Sequence, residues 1–330
     1  MVVLATESRS LKSYTARRIL QTIPLFFGVI VMAFSIIHAA PGDPVYVLAG
    51  EGASPEYIEM MREHLGLNKP LYEQLVVYIA TVMRGDLGYS FAYRQPVIVV
   101  IFERVPATLM LMGTALFFSS VVGIALGVIS SKRPYSLLDN ASTTISLLGY
   151  SLPVFWLAQV LLLIFAVALG WFPVQGMMSV REELTGIKYV LDIIHHLVLP
   201  AFALGLLQLA LTARLTRASM LEILRQDYII TAWSKGLDEN TVLYRHALRN
   251  ALLPVVTIIG LHLGAMLTGA VLTETVFGWP GLGRLMYDAI ASRDYPVLMG
   301  NFIVTATSVI GANFVTDILY GFLDPRIRYT

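Results

Sequence analysis

The chain has 330 residues, 56% of them apolar and 14% charged, a balance that excludes an ordinary water-soluble domain. Its 23 basic and 22 acidic residues leave a formal charge of only +1, and no nucleic-acid partner is expected. The absence of cysteine excludes disulfides and thiolate metal sites.

The charges are segregated. Uncharged runs occupy residues 19–42, 105–131, 140–180, 193–213, 250–273 and 295–316. Each supplies the roughly 20 apolar residues that an α-helix needs to cross a bilayer. Backbone groups in lipid must be satisfied within the segment, so these runs are expected to be helices. The expectation is an all-α polytopic membrane protein with about six transmembrane helices.

In chain order, residues 1–18 form a cytoplasmic N-terminal segment and 19–40 the first span. That span follows Arg17-Arg18 and stops at the breakers Pro41-Gly42-Asp43-Pro44. It is longer than the core of a signal peptide and is expected to remain uncleaved. Residues 41–104 are an extracytoplasmic insertion with two short amphipathic helices, over 55–61 and 71–83. Residues 105–330 are the core, with five further spans. The second span covers 107–129 and turns at Lys132-Arg133-Pro134. The run 140–180 is too long for one span, but dividing it in two would put the basic loop 214–250 outside, so one long or broken span is expected. It is interrupted at Tyr150, Ser151 and Pro153. The remaining spans cover 196–213, 251–273 and 297–316.

With the N-terminus inside, Arg17, Arg18, Lys132, Arg133, Arg214, Arg217, Lys235, Arg245 and Arg249 all face the cytoplasm, while Glu51, Glu56, Glu59, Glu63 and Glu73 lie outside. This is the positive-inside bias. It is expected of a multi-pass membrane protein with both termini cytoplasmic.

The loop 214–250 hangs between two spans, so its function must face water. From 219 to 235 the apolar residues Met220, Leu224, Tyr228 and Ala232 recur every four positions, which predicts one helix. Gly236 suits the left-handed residue that ends it. Asp238 reads as the N-cap of a second helix, with Glu239 in its first turn. Leu243, Ala247 and Ala251 then share a side. The pattern is a helical hairpin with an exposed elbow, and the bland alternative is a solvated basic loop held by anionic lipid.

This segment resembles the cytoplasmic loop of ATP-binding-cassette (ABC) importer permeases: Glu-Ala-Ala, three residues, Gly, nine residues, Ile-x-Leu-Pro. Ala232 and Gly236 keep its core; Ile230 replaces the Glu, and Leu253-Pro254 comes five residues late. Those departures are similar to the first-permease members of the dipeptide/oligopeptide/nickel branch, as are Ala40-Pro41-Gly42-Asp43-Pro44, Tyr150-Ser151-Leu152-Pro153, the stretch from Glu274 to Gly283, Arg293-Asp294-Tyr295-Pro296 and Asp324-Pro325-Arg326.

The resemblance implies the type I importer permease fold and half of a translocation pathway for di- or oligopeptides, nickel complexes or a related small solute. It implies four kinds of neighbour: a homologous second permease, two ABC ATPase subunits, an extracytoplasmic solute-binding protein and the lipid bilayer. No cofactor is expected in this chain, since ATP and Mg would be bound by the ATPases. Thr231, Ala232, Lys235, Gly236, Leu237, Asp238 and Arg245 are the expected ATPase-coupling residues.

Possible pathway or gate residues are Tyr150, Ser151 and Pro153 at the helix break, Glu274 before a Gly- and Pro-rich turn, and Asn313 with Asp317, four apart near the end of the last span. His195-His196 are adjacent, hence about 100° apart on a helix and ill placed to chelate one metal. No lysine follows a glycine, so a phosphate loop is absent and ATP hydrolysis is not expected here. No zinc-protease or serine-hydrolase motif occurs, and no catalytic residue is expected. An ion-coupled secondary transporter is the competing class, but it would show internal repeats and midplane ionisable residues.

Overall fold

The computed structural model describes residues 11–39, 53–64, 66–90, 92–180, 184–264 and 266–323. In chain order the helices are α1 (Leu11–Ala39), α2 (Pro55–His64) and α3 (Leu71–Met83). A two-residue hairpin follows, β1 (Tyr89–Ser90) paired antiparallel with β2 (Gln95–Pro96). Then come α4 (Val97–Lys132), α5 (Leu137–Ser151), α6 (Val154–Ala168), α7 (Ile187–Ile223) and α8 (Asp227–Ser234). The last are α9 (Thr241–Leu263), α10 (Val271–Val276), α11 (Leu282–Ser292) and α12 (Tyr295–Leu323).

Among the described residues, four helices are long and apolar enough to cross a membrane: α4, α7, α9 and α12 over Tyr295–Phe314. A fifth candidate is the pair α5 and α6, bent by 104° at Leu152-Pro153, in keeping with the expected broken span. Pro153 removes a backbone donor and pushes Leu152 into an extended conformation, which ends α5. The first expected span is helical as α1, with a shorter apolar stretch over Leu20–Ile36. Both short helices expected in the 41–104 segment are present as α2 and α3.

Several helices extend beyond the uncharged runs that announce them. α4 begins before Glu103 and Arg104, and α7 takes in Lys188, Asp192, Arg214 and Arg217. At 1.5 Å per residue the 37 residues of α7 span about 55 Å, more than the roughly 40–45 Å of a whole bilayer. Arg214 and Arg217 therefore belong to a helix and not to the expected loop. The fifth expected span ends early, because α9 stops near Gly264 and Gly269, at φ +72°, redirects the chain into α10.

The chain divides into two compact units, residues 1–106 with 285–330, and residues 107–284. In the first, α1 packs along α12 and against α3. Asp294 caps α12 by accepting from the Val297 amide (3.3 Å) and from the Ser90 hydroxyl (2.5 Å), which ties the hairpin to that helix. Gly300 lets the start of α4 come close, since a Cβ there would lie 2.5 Å from Val97 Cγ1.

In the second unit, α7 is the central post, packed by α5, α6, α9 and α10. α4 joins it through small residues. A Cβ on Gly123 or Gly127 would sit 2.8 or 2.5 Å from the Cβ atoms of Thr212 and Thr216, so two glycines four apart meet two threonines four apart. Apolar lipid supplies no hydrophobic drive between helices, and close backbone approach of this kind is what holds them.

Candidate functional site

The hairpin that the sequence singles out is built differently at its start from the expected single helix over 219–235. α7 continues to Ile223, closes with the Leu224 amide on the Met220 carbonyl (2.9 Å), and turns at Gln226, which is extended. α8 then starts afresh at Asp227. Leu224-Arg225-Gln226 contains no Gly or Pro, so nothing local marks the break. The turn brings Ile229, in place of Tyr228, onto the buried side.

The rest of the hairpin follows the sequence pattern. Gly236 adopts φ +77° and its amide bonds to the Trp233 carbonyl at 2.9 Å. The Asp238 carboxylate accepts from the Thr241 amide at 3.0 Å, the geometry of an N-cap. Bonds from the hydroxyl and amide of Thr241 hold this carboxyl below its ordinary range. The chain winds more widely over Thr241–Ala247, in an i→i+5 turn, before regular helix resumes at Leu248.

Behind the elbow lies a closed core of Val128, Met220, Ile229, Ala232, Val242, Leu243, Ala247 and Ala251. It joins the end of α4, the end of α7, α8 and the start of α9 into one packed body. Asn250 bonds to the Tyr228 hydroxyl (2.7 Å), and the Lys132 ammonium lies 5.2 Å from the centre of the Tyr244 ring.

Of the seven expected coupling residues, Thr231, Lys235, Gly236, Leu237, Asp238 and Arg245 are each exposed. Ala232 is not: it is buried in the hairpin's own core, so its small size serves packing and it offers no surface to a neighbour. Ile230 (55% exposed) and Trp233 (46%) are exposed as well, neither of them among the expected coupling residues. Both follow from the helical period of α8 once its start is placed at Asp227.

The expected pathway and gate residues lie on several different elements. Tyr150 is exposed and lines a cavity between α5 and α7. The Ser151 hydroxyl is spent on the Leu147 carbonyl (2.8 Å), and Pro153 forms the bend. Asn313 is exposed on α12; the Asp317 side chain lies outside the described residues.

Glu274 is wholly buried. Its carboxylate accepts from the amides of Ala270 (3.3 Å) and Arg284 (2.9 Å) and from the Thr108 hydroxyl (3.2 Å), while the Leu282 amide donates to Thr108 Oγ1 (2.7 Å). The Trp279 indole donates to the Ala107 carbonyl at 2.8 Å, and a Cβ on Gly281 or Gly283 would collide with this arrangement. The Gly- and Pro-rich turn is thus folded around a carboxylate. That side chain is enclosed.

The two histidines point apart, His195 to the Trp171 carbonyl (2.8 Å) and His196 to the Asp192 carbonyl (2.9 Å). A pair that sequence reasoning missed is Asp139 with Arg217. The guanidinium holds the buried carboxylate through two bonds of 2.5 and 2.7 Å, and Asp139 also accepts from the Tyr135 amide. The available signal was Ser136-Leu137-Leu138-Asp139, a helix start in which Ser136 accepts from the Asp139 amide.

Comparison with known proteins agrees with this architecture. Residues 123–329 match the family described as binding-protein-dependent transport system inner membrane component, and residues 11–112 match its N-terminal counterpart. The chain is similar to the di/tripeptide transport system permease protein DppB of Pseudomonas aeruginosa, with 45% identity covering 96% of this chain and 99% of that one. It is 43% identical to the dipeptide transport system permease protein DppB of Escherichia coli K12, covering 96% and 98%. It is 42% identical to the oligopeptide transport system permease protein AppB of Bacillus subtilis, covering 96% and 99%. The chain therefore belongs to the binding-protein-dependent transport system inner membrane components, as a permease subunit of an ABC importer on their dipeptide and oligopeptide branch.

Proposed function

We propose that this permease forms half of a passage for di- or oligopeptides, and that ATP hydrolysis on separate subunits drives it through the Gly236 elbow. In this reading a homologous second permease supplies the other half, two ATPases dock on the elbow side, and a solute-binding protein delivers peptide from outside. Both termini lie in the cytoplasm in this reading, which the distribution of Lys and Arg supports. ATP and Mg belong to the ATPases, and the present chain hydrolyses nothing. The substrate class comes from the relatives, which are named for dipeptide, tripeptide and oligopeptide transport.

The observation that carries the coupling role is the contrast between the hairpin's two sides. Its inner side is a closed core shared with α4, α7 and α9, so the elbow transmits displacement as a rigid body. Its exposed residues include the apolar Ile230, Trp233 and Leu237 and the charged Lys235, Asp238 and Arg245, the mixture of side chains that an interface uses. Thr231 is exposed too, while Ala232 lies in the core.

The natural chain lacks cysteine, so one placed at Gly236 is a clean probe. A membrane-impermeant maleimide should reach it in inside-out vesicles and not in intact cells. Changing Trp233 and Ile230 together to Ser should weaken ATPase retention on the purified permease pair about tenfold or more, as loss of a central apolar anchor does. Labelling from the outside, or nucleotide-free peptide movement by the permeases alone, would overturn the reading.

A further inference from the structure

Between α5 and α7, over the end of α4, lies a cavity of about 210 Å³ whose polar lining the coupling role does not use. Ser142, Thr143, Ser146 and Tyr150 line it from α5, Ser130 from α4 and Arg214 from α7. Some hydroxyls of these helices are bonded back to their own backbone, as Ser131 is to Val128 and Ser151 to Leu147. Those facing the cavity have no hydrogen-bond partner among the described residues. Ser130 and Ser146 are 2% and 8% exposed, and with the other hydroxyls of the lining they open onto the cavity, free to bond to a ligand or to water that it holds.

The charge of that ligand follows from the cations. Arg217, also in the lining, is spent on Asp139, whose two oxygens it satisfies. Arg214, one helical turn before it, has no acid partner among the described residues and opens onto the same space. The site therefore carries one uncompensated guanidinium and several hydroxyl donors, the donor set suited to a carboxylate or phosphate oxygen. Its shape selects between these. The hydroxyls follow α5 from Ser142 to Tyr150, about 12 Å along the axis, toward the bend at Pro153. A lipid phosphate would need a single shell of donors at the interface, whereas a group moving along the helix needs a series.

We propose that this groove binds the free carboxylate of a peptide in transit, with Arg214 as its anchor and the α5 hydroxyls as successive donors. The proposal rests on the peptide-importer reading and specifies which end of the substrate the permease itself recognises. It makes Arg214 a specificity residue, distinct from the elbow surface.

The test uses the complete transporter in proteoliposomes, with its binding protein and ATP, and compares uptake of radiolabelled dialanine with that of its C-terminal amide. Arg214→Gln should slow uptake of the free acid about tenfold and leave the amide within about twofold, as expected for loss of a charge-assisted bond. Arg214→Lys should restore part of the preference, and Thr143→Ala with Ser146→Ala should reduce it by a smaller factor. Equal uptake of the free acid by wild type and Arg214→Gln overturns the proposal while leaving the importer reading intact. Equal slowing of acid and amide, with loss of copurifying phosphatidylglycerol, makes the groove a lipid site and also overturns it. If the wild type moves neither compound with ATP, the importer reading itself fails and takes the groove with it.

Discussion

The elbow at Gly236 and the turn at residues 274–283 look alike in sequence: each sets glycine and an acidic residue beside apolar helix. Their structures are opposite. At Gly236 an added Cβ would meet nothing within 4 Å, and the neighbouring side chains are exposed. At Gly281 an added Cβ would strike the Glu274 carboxylate, itself wholly buried. Asp238 caps a helix from the surface, whereas Glu274 gathers backbone amides inside the fold. Glycine thus does two jobs. In the elbow it supplies a left-handed conformation that leaves a surface free, and in the turn it supplies the absence of a side chain so that a carboxylate can be enclosed.

That contrast is open to direct attack. The largest effect is expected from Glu274→Ala, which strands the Ala270 and Arg284 amides and the Thr108 hydroxyl in a buried site. Each buried group left unsatisfied costs about 1–3 kcal/mol, so the melting temperature of the detergent-solubilised protein should fall steeply. Glu274→Gln, which keeps one acceptor oxygen, should fall less. A melting temperature unchanged by Glu274→Ala would mean that the turn does not depend on its carboxylate.

Next comes the glycine comparison. Gly281→Ala must displace the Glu274 side chain and should destabilise by about 1–3 kcal/mol, as overpacking does. Gly236→Ala has room for its methyl group and carries only the left-handed backbone penalty of about 1–2 kcal/mol. Side-by-side thermal melts should rank Gly281→Ala as the more damaging, and the reverse ranking would break the distinction. Uptake sharpens it further: Gly236→Trp should keep the fold and the assembled complex yet separate ATP hydrolysis from transport.

The smallest effect belongs to the Asp238 cap. Its carboxyl is held below the ordinary range in the folded protein, so the cap contributes stability above the unfolded carboxylate pKa. It loses that contribution as pH falls through the lowered folded value. Amide exchange at Thr241 should therefore speed up, relative to neighbouring amides, at acid pH. Asp238→Asn should remove that pH dependence while retaining a cap, and an unaltered profile would show that the side chain plays no such part.

The comparison also explains what could be read early. The periodic positions Leu243, Ala247 and Ala251, the stop at Gly236 and the cap at Asp238 are local signals, and the structure contains each of them. The break at Leu224-Arg225-Gln226 is not local, because no residue there disfavours helix. Ile229 turns inward because Met220, Val242 and Leu243 offer it a core. For the same reason Ala232, a plausible surface contact in the linear pattern, lies beneath the surface.

Apolar runs long enough to cross a bilayer and the capped elbow follow from the sequence alone, because hydration and backbone geometry act on neighbours in the chain. Tertiary structure decided which charges the membrane helices carry, since α7 brings Arg217 to Asp139 across 78 positions and leaves Arg214 facing a groove. It also decided that Glu274 is enclosed by glycines and by Thr108, which stands 166 positions away. Such pairings depend on helices meeting at particular depths, and no period or spacing along one segment encodes the depth of another.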